Sequence, residues 1–85
     1  MNKQSVLALL EVGAIKRVVI TANGSLLYIK VHTATGDHVI ETNAGKLKTW
    51  STLDAAARWL HALGIGKVIF ELTKWHPHQK GLTIK

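Results

Sequence analysis

Residues 45–75 constrain the fold of this chain more than any other stretch, because they carry the signals of one helix followed by one strand. An apolar stripe at helical spacing predicts an amphipathic helix. The members of the stripe are Leu53, Ala56, Ala57, Leu60 and Leu63. Gly64 predicts the left-handed end of this helix, and Ile65 is placed to fold back over the last turn. The alternation that follows, to about Trp75, is typical of a strand.

The start of this helix is predicted from the residues just before the stripe. Ser51 and Asp54 have the spacing of a capping box, in which each side chain bonds the backbone N–H of the other residue. Trp50 precedes the cap and is placed to pack on the first turn as a hydrophobic staple.

The first half of the chain predicts a second helix and a three-stranded meander. The segments are residues 2–12 for the helix and residues 15–22, 26–33 and 38–42 for the strands. Asn23 and Gly24 between the first two strands are the strongest hairpin signal and favour a type I′ turn. Because each helix has one apolar stripe, we expect an α+β fold with both helices on one face of a mainly antiparallel four-stranded sheet, in the order α-β-β-β-α-β.

Length and composition predict one domain over residues 1–85. The chain has 85 residues and no cysteine, which allows one core and excludes disulfides and thiolate metal sites. From about residue 76 we expect a basic tail, in which Leu82 and Ile84 offer the alternative of a short edge strand. The apolar run near the N-terminus is too short to span a bilayer and is interrupted by Glu11, so we expect a cytoplasmic protein without membrane contact.

The charge of the chain favours a polyanionic partner. Eleven Lys and Arg against five Asp and Glu give a formal charge of +6, and phosphate contacts gain from counterion release. DNA contact is predicted for Arg17, Lys30, Lys46, Lys48, Lys74, Trp75 and Lys80. Trp75 has a second interpretation, in which the indole is tucked into the core.

The sheet face away from the helices carries a mixture of apolar and charged residues that is typical of a contact surface. Val19, Tyr28 and Ile69 are its apolar members. We therefore expect a homodimer formed through this face or through a free strand edge.

Catalytic and metal-binding patterns are weak. The five carboxylates all have structural explanations in turns, caps, a helix and strands, so no acid–base pair is predicted. His76 and His78 lack the third and fourth ligands of a closed zinc site. We expect neither an enzyme nor a cofactor or metal.

Most of the chain resembles the ParC family of small partition-associated proteins, which are encoded beside ParA-type ATPases on plasmids and integrated elements. The resemblance is carried by SVLALLEVGA at residues 5–14, TATG at 33–36, GKLKTW at 45–50, LDAAARWL at 53–60 and LGIG at 63–66. It implies a role in plasmid maintenance and a ParA-type ATPase as a partner, and it brings no catalytic or ligand residues with it.

Two classes of function stay open from the sequence. The protein either binds DNA through a basic surface or acts as an adaptor that dimerises and docks on a partition ATPase. Basic residues gathered on one side favour DNA, whereas an even scatter around an apolar sheet face favours the adaptor. The residues that decide between them are Arg17, Lys30, Lys46, Lys48 and Lys67.

Overall fold

The computed structural model describes residues 1–75 and contains the two helices and four strands in the predicted order. The elements are α1 (Lys3–Glu11), β1 (Ile15–Asn23), β2 (Leu26–Thr33), β3 (Gly36–Val39), α2 (Leu53–Ala62) and β4 (Ile69–Glu71). The prediction of an α+β fold is confirmed. The predicted tail, with its possible edge strand, lies outside the described residues.

The strands form one sheet in the order β3-β2-β1-β4. β1 pairs antiparallel with β2, and β2 pairs antiparallel with β3. β4 returns after α2 to pair parallel with β1, placing Phe70 opposite Ile20. The sheet is therefore mixed, and the starts of β1 and β4 lie at the same end of it.

Both helices pack on one face of the sheet. The alternate residues of β1 and β2 that point to the helices are buried, as predicted; these residues are Val18, Ile20, Ala22, Leu27, Ile29 and Val31. Val6 of α1 and Ala56 and Leu60 of α2 are buried with them in a single core. Ile65 is also buried, and its N–H donates to the carbonyl oxygen of Leu60 at 3.1 Å, as expected for a chain folding back over the helix end.

The first hairpin has a different turn from the type I′ turn predicted at Asn23 and Gly24. Asn23 is still in β1, opposite Leu26, so the two turn residues are Gly24 and Ser25. Gly24 has a φ of 72°, whereas no residue other than glycine has a positive φ within residues 1–75. Positive φ at the first turn residue alone is the pattern of a type II′ turn, for which glycine in that position is preferred.

β3 begins two residues earlier than predicted and ends at Val39 instead of Thr42. The Thr33 hydroxyl donates to the carbonyl oxygen of Gly36 at 3.0 Å and accepts from the N–H of Thr35, which closes a tight turn before the strand. After β3 the chain loops back to β2, where Leu27 and Trp50 exchange two backbone hydrogen bonds of 2.8 Å.

The predicted capping box at Ser51 and Asp54 is wrong. Thr52 is the N-cap of α2, and its Oγ1 accepts a hydrogen bond of 3.1 Å from the N–H of Ala55. Asp54 is inside the first turn and pairs with Arg58 one turn later at 2.9 Å. Thr is also a preferred N-cap residue, so the cap moved by one residue while the helix kept its predicted position.

β4 is shorter than the predicted strand because the chain turns after Glu71. The N–H of Trp75 donates to the carbonyl oxygen of Leu72 at 3.0 Å, and the carbonyl oxygen of Lys74 accepts from the N–H of Gly24 at 3.1 Å. This turn places Trp75 beside the end of β1.

The two edges of the sheet differ. At the β3 edge, the N–H of Glu41 donates to the carbonyl oxygen of Met1 at 2.7 Å, and the N-terminal ammonium donates to the carbonyl oxygen of Val39 at 3.2 Å. β4 pairs only with β1 among the strands of residues 1–75, so no strand of this part of the chain covers its other side. Neither helix of this part of the chain is long and apolar enough to cross a bilayer.

Candidate nucleic-acid interface

The sheet face opposite the helices is an ordered array of side chains. The strand register places Arg17 opposite His32, Val19 between Lys30 and Ile69, and Thr21 between Tyr28 and Glu71. Directly opposed residues point to the same face of a sheet, so these side chains form three parallel rows. Arg17 and Val19 on β1 and Lys30 on β2, which were predicted to point away from the core, therefore lie on this face.

The predicted interface residues are brought together on this face. Val19 and Ile69 are neighbours on β1 and β4, and they line one hollow of about 310 Å³. Ile69 is 47% exposed, whereas Val19 and Tyr28 are half-buried by their neighbours. Tyr28 lies in the next row, opposite Thr21.

Arg17 is the point at which the basic residues of the sheet meet. It lines a hollow with Lys16 and Lys67 at the start of β1 and β4, and it lines the open-face hollow with Lys30 and His32. We call Lys16, Arg17, Lys30 and Lys67 the basic patch. Lys16 and Arg17 on β1, Lys30 on β2 and Lys67 just before β4 lie within about 10 Å across the sheet, since neighbouring strands are about 4.8 Å apart.

A β-bulge explains why two consecutive residues contribute to this patch. Ile15 lies opposite Thr33 and Arg17 lies opposite His32, so Lys16 is an extra residue on β1. Consecutive side chains in a regular strand point to opposite faces, but a bulge bends the strand and redirects the side chain. Lys16 and Arg17 consequently line the same hollow.

The carboxylates near the sheet are already engaged. Asp37 pairs with His32 at 2.6 Å, and Glu41 pairs with the N-terminal ammonium at 3.2 Å. Glu71 accepts a hydrogen bond of 3.0 Å from the Thr21 hydroxyl. Within residues 1–75, none of the four cations of the basic patch is in an ion pair.

Lys46 and Lys48 lie apart from the basic patch. Lys46 is in the turn after β3, where its N–H donates to the Thr42 hydroxyl. The Lys48 ammonium is 5.3 Å from the ring centroid of Trp50 and 5.8 Å from that of Trp59. Since Trp59 belongs to α2, Lys48 is on the helix side of the sheet. The predicted staple is also changed, because Trp50 packs on the Trp59 ring at 5.3 Å.

Lys74 and Trp75 are at the other end of β1, next to Gly24. Seven residues of strand separate Lys16 from that end, which is roughly 23 Å at 3.3 Å per residue. The Trp75 ring packs against Phe70 with centroids 5.3 Å apart and is partly buried against the core. The structure thus has the core arrangement of Trp75, one of its two interpretations. Lys80 lies outside the described residues.

Lys16 was absent from the predicted contact residues, and Lys67 was named only among the residues whose clustering would favour DNA. β1 and β4 pair with an offset of fifty positions, as in Val19 with Ile69, and Lys67, just before β4, lines a hollow with Arg17. That parallel pairing is the feature that brings Lys67 to the patch, and the bulge is the feature that brings Lys16. Neither is encoded in the alternation of a single strand.

No group of three or more His, Asp or Glu side chains suited to a metal ion occurs within residues 1–75. Comparison with protein-family models, with curated proteins and with solved structures finds no match to the chain.

Proposed function

We propose that this protein is an accessory factor of plasmid partition that binds DNA without sequence specificity, holding phosphates across the basic patch. The observation that carries the proposal is the position of Arg17, which joins Lys16 and Lys67 on one side to Lys30 on the other. Because phosphate contacts supply most of non-specific DNA affinity, a contiguous group of unpaired cations is the feature required.

The distribution of negative charge supports the same proposal. Three of the five carboxylates of the chain are in ion pairs with groups other than the patch cations: Asp37 with His32, Glu41 with the N-terminus and Asp54 with Arg58. Glu71 lines the open-face hollow with Arg17 and Lys30. The cations around Arg17 are therefore not in ion pairs with these carboxylates.

The role in partition rests on the resemblance of residues 5–66 to ParC-family proteins. That family is encoded beside ParA-type ATPases, so a partition ATPase is the protein partner we propose. DNA bound without sequence preference is compatible with a helper that acts near a partition complex rather than one that selects the site.

The test is a fluorescence titration of a labelled 20-base-pair duplex at several salt concentrations. If the four patch cations each meet a phosphate, the logarithm of the binding constant should fall with the logarithm of salt concentration at a slope of about −3.6. Replacing Lys16 and Arg17 together with alanine should reduce that slope by about two. Lys3→Ala with Lys46→Ala is the matched control, because it removes two charges outside the patch and should keep the wild-type slope.

Absence of binding at low salt would overturn this proposal, as would a slope that is indifferent to Lys16 and Arg17. The second candidate function is the adaptor without DNA contact. It is favoured by one observation, the large apolar side chains exposed on and around β4: Val68 at 36%, Ile69 at 47% and Leu72 at 58%. A direct binding measurement with the purified ParA-type ATPase, at salt concentrations that abolish DNA binding, would distinguish it.

A further inference from the structure

The open edge of β4 is complementary to itself in charge. Residues 67–71 read Lys-Val-Ile-Phe-Glu, with a cation at one end, a carboxylate at the other and three apolar residues between them. Neither Lys67 nor Glu71 is in an ion pair with any residue of 1–75. Within one strand the two residues are four positions apart, about 13 Å along the backbone, so they are too distant to pair with each other.

We propose that two copies of this chain join their β4 edges antiparallel around a two-fold axis at Ile69, forming one continuous eight-stranded sheet. In this register Lys67 of each copy lies opposite Glu71 of the other, and Ile69 lies opposite its own counterpart. Opposite charges directly across an antiparallel pair stabilise the pairing, and a two-fold interface needs this kind of self-complementarity. The inference goes beyond DNA binding and does not depend on it.

The other face of the paired strands is complementary as well. Val68 lies opposite Phe70 of the second copy, next to the exposed part of the core. Val68 is 36% exposed and Phe70 is half-buried in the single chain, so pairing removes apolar surface from water on both copies.

Neighbouring registers lack this match. Moving the axis to Phe70 places Glu71 opposite Ile69 and Lys67 opposite Thr73, so neither charge finds an opposite charge. Moving it to Val68 places Lys67 opposite Ile69. Because registers related by a two-fold axis change in whole residues, the charge pairing selects Ile69 as the centre.

Glu71 is hydrogen-bonded toward the inner neighbouring strand. Its Oε1 accepts from the Thr21 hydroxyl on β1 at 3.0 Å, so the proposed pair with Lys67 of the second copy would be added to that bond. Pairing would neutralise the Glu71 carboxylate, which lines a hollow with Arg17. It would also bring Arg17 and Lys30 of both copies onto one sheet face, while Lys67 is taken up by Glu71 of the other copy.

Charge reversal tests the register. Sedimentation equilibrium of the full chain without DNA should show a monomer–dimer equilibrium. Lys67→Glu or Glu71→Lys alone puts two like-charge pairs across the axis and should raise the dimer dissociation constant about tenfold. The double variant restores both pairs with their signs exchanged and should return to within about threefold of wild type. Lys46→Glu, the same charge change in an exposed turn away from β4, is the control and should leave dimerisation unchanged.

A cross-linking experiment checks the centre independently, because the chain contains no cysteine. In the proposed register a cysteine at Ile69 meets its counterpart, with Cβ atoms about 5 Å apart. Ile69→Cys should therefore form an intermolecular disulfide on mild oxidation, whereas Phe70→Cys and Val68→Cys, whose counterparts lie on a diagonal about 7–8 Å away, should not. Circular dichroism confirms that each variant is folded.

Three results would overturn the proposal. The first is a monomer at every accessible concentration, and the second is a dimer whose double variant is as weak as the single ones. The third is a monomer in which the β4 amides resist hydrogen exchange, since that would place the chain's own residues 76–85 on the edge. These readouts contain no DNA, so the failure of the dimer and the failure of the DNA proposal are distinguishable.

Discussion

The Thr21 hydroxyl on β1, an inner strand, donates a hydrogen bond of 3.0 Å to Oε1 of Glu71 on the edge strand β4. Thr21 is 5% exposed, which makes it the buried polar side chain of the sheet. Its partner satisfies the hydroxyl, as a buried polar group requires. The bond connects β1 to β4, a strand of only three residues.

We expect Thr21→Val to lower the free energy of unfolding by about 1 kcal/mol, because it removes one hydrogen bond while keeping the side-chain shape. Urea denaturation followed by circular dichroism measures the change. Thr21→Ser keeps the hydroxyl and is the control for the bond. A valine variant as stable as wild type would mean that Glu71 does not hold β4 in solution.

The N-cap of α2 gives a second prediction. Thr52→Ala should lower stability by about 1 kcal/mol, since it leaves the Ala55 N–H without the oxygen that caps it. Ser51→Ala should change stability by less than about 0.5 kcal/mol, as is usual for an exposed site without such a role. If Ser51→Ala lost more stability than Thr52→Ala in urea denaturation, the result would support the capping box predicted from the sequence.

Leu60 should be the most sensitive position of the α2 stripe. It is 1% exposed in the core, and Leu60→Ala should cost about 2–5 kcal/mol through lost apolar contact and the cavity left behind. Leu53 belongs to the same stripe but is 37% exposed, so Leu53→Ala is the matched control and should cost clearly less. Thermal and urea denaturation of both variants measure the difference. Equal costs would contradict the position of α2 on the sheet.

Lys48 should contribute to stability more than to DNA affinity. Its ammonium lies over Trp50 and Trp59, so Lys48→Ala should lower stability by about 0.5–1 kcal/mol and change the tryptophan fluorescence. Lys46→Ala, two residues away in an exposed turn, is the control and should be neutral in both measurements.

Lys46 and Lys48 also distinguish two locations for DNA: the contact residues predicted from the sequence and the basic patch found in the structure. If DNA lies on the basic patch alone, Lys46→Ala with Lys48→Ala should leave the salt slope unchanged. A reduction of about two in the slope would instead place the phosphates along residues 46–48.

Short-range patterns predicted the elements well, and long-range pairing was the part they missed. The alternation in β1 and β2 identified the buried residues, since the period of two fixes the face of every side chain. The stripe from Leu53 to Leu63 identified α2 for the same kind of reason. The cap at Thr52 and the turn at Gly24 each differed by one residue, because neighbouring residues of similar chemistry compete for these positions.

The candidate site was only half predictable for a physical reason. Arg17 and Lys30 were correctly placed on the open face, because their facing follows from local alternation. Lys67 joins them only because β4 pairs parallel to β1, and Lys16 joins them only because of a bulge. Both features depend on contacts between distant parts of the chain, which no single segment specifies.

The unequal edges of the sheet bear on how far self-association can proceed. A sheet with two free edges can add one copy after another and grow into a fibre. Here the carbonyl oxygen and the ammonium of Met1 bond Glu41 and Val39 at the end of the β3 edge, whereas no strand of residues 1–75 lies on the outer side of β4. Pairing through β4 uses that outer side once in each copy. An exposed strand that would otherwise be a risk for aggregation is thereby restricted to a closed, finite assembly.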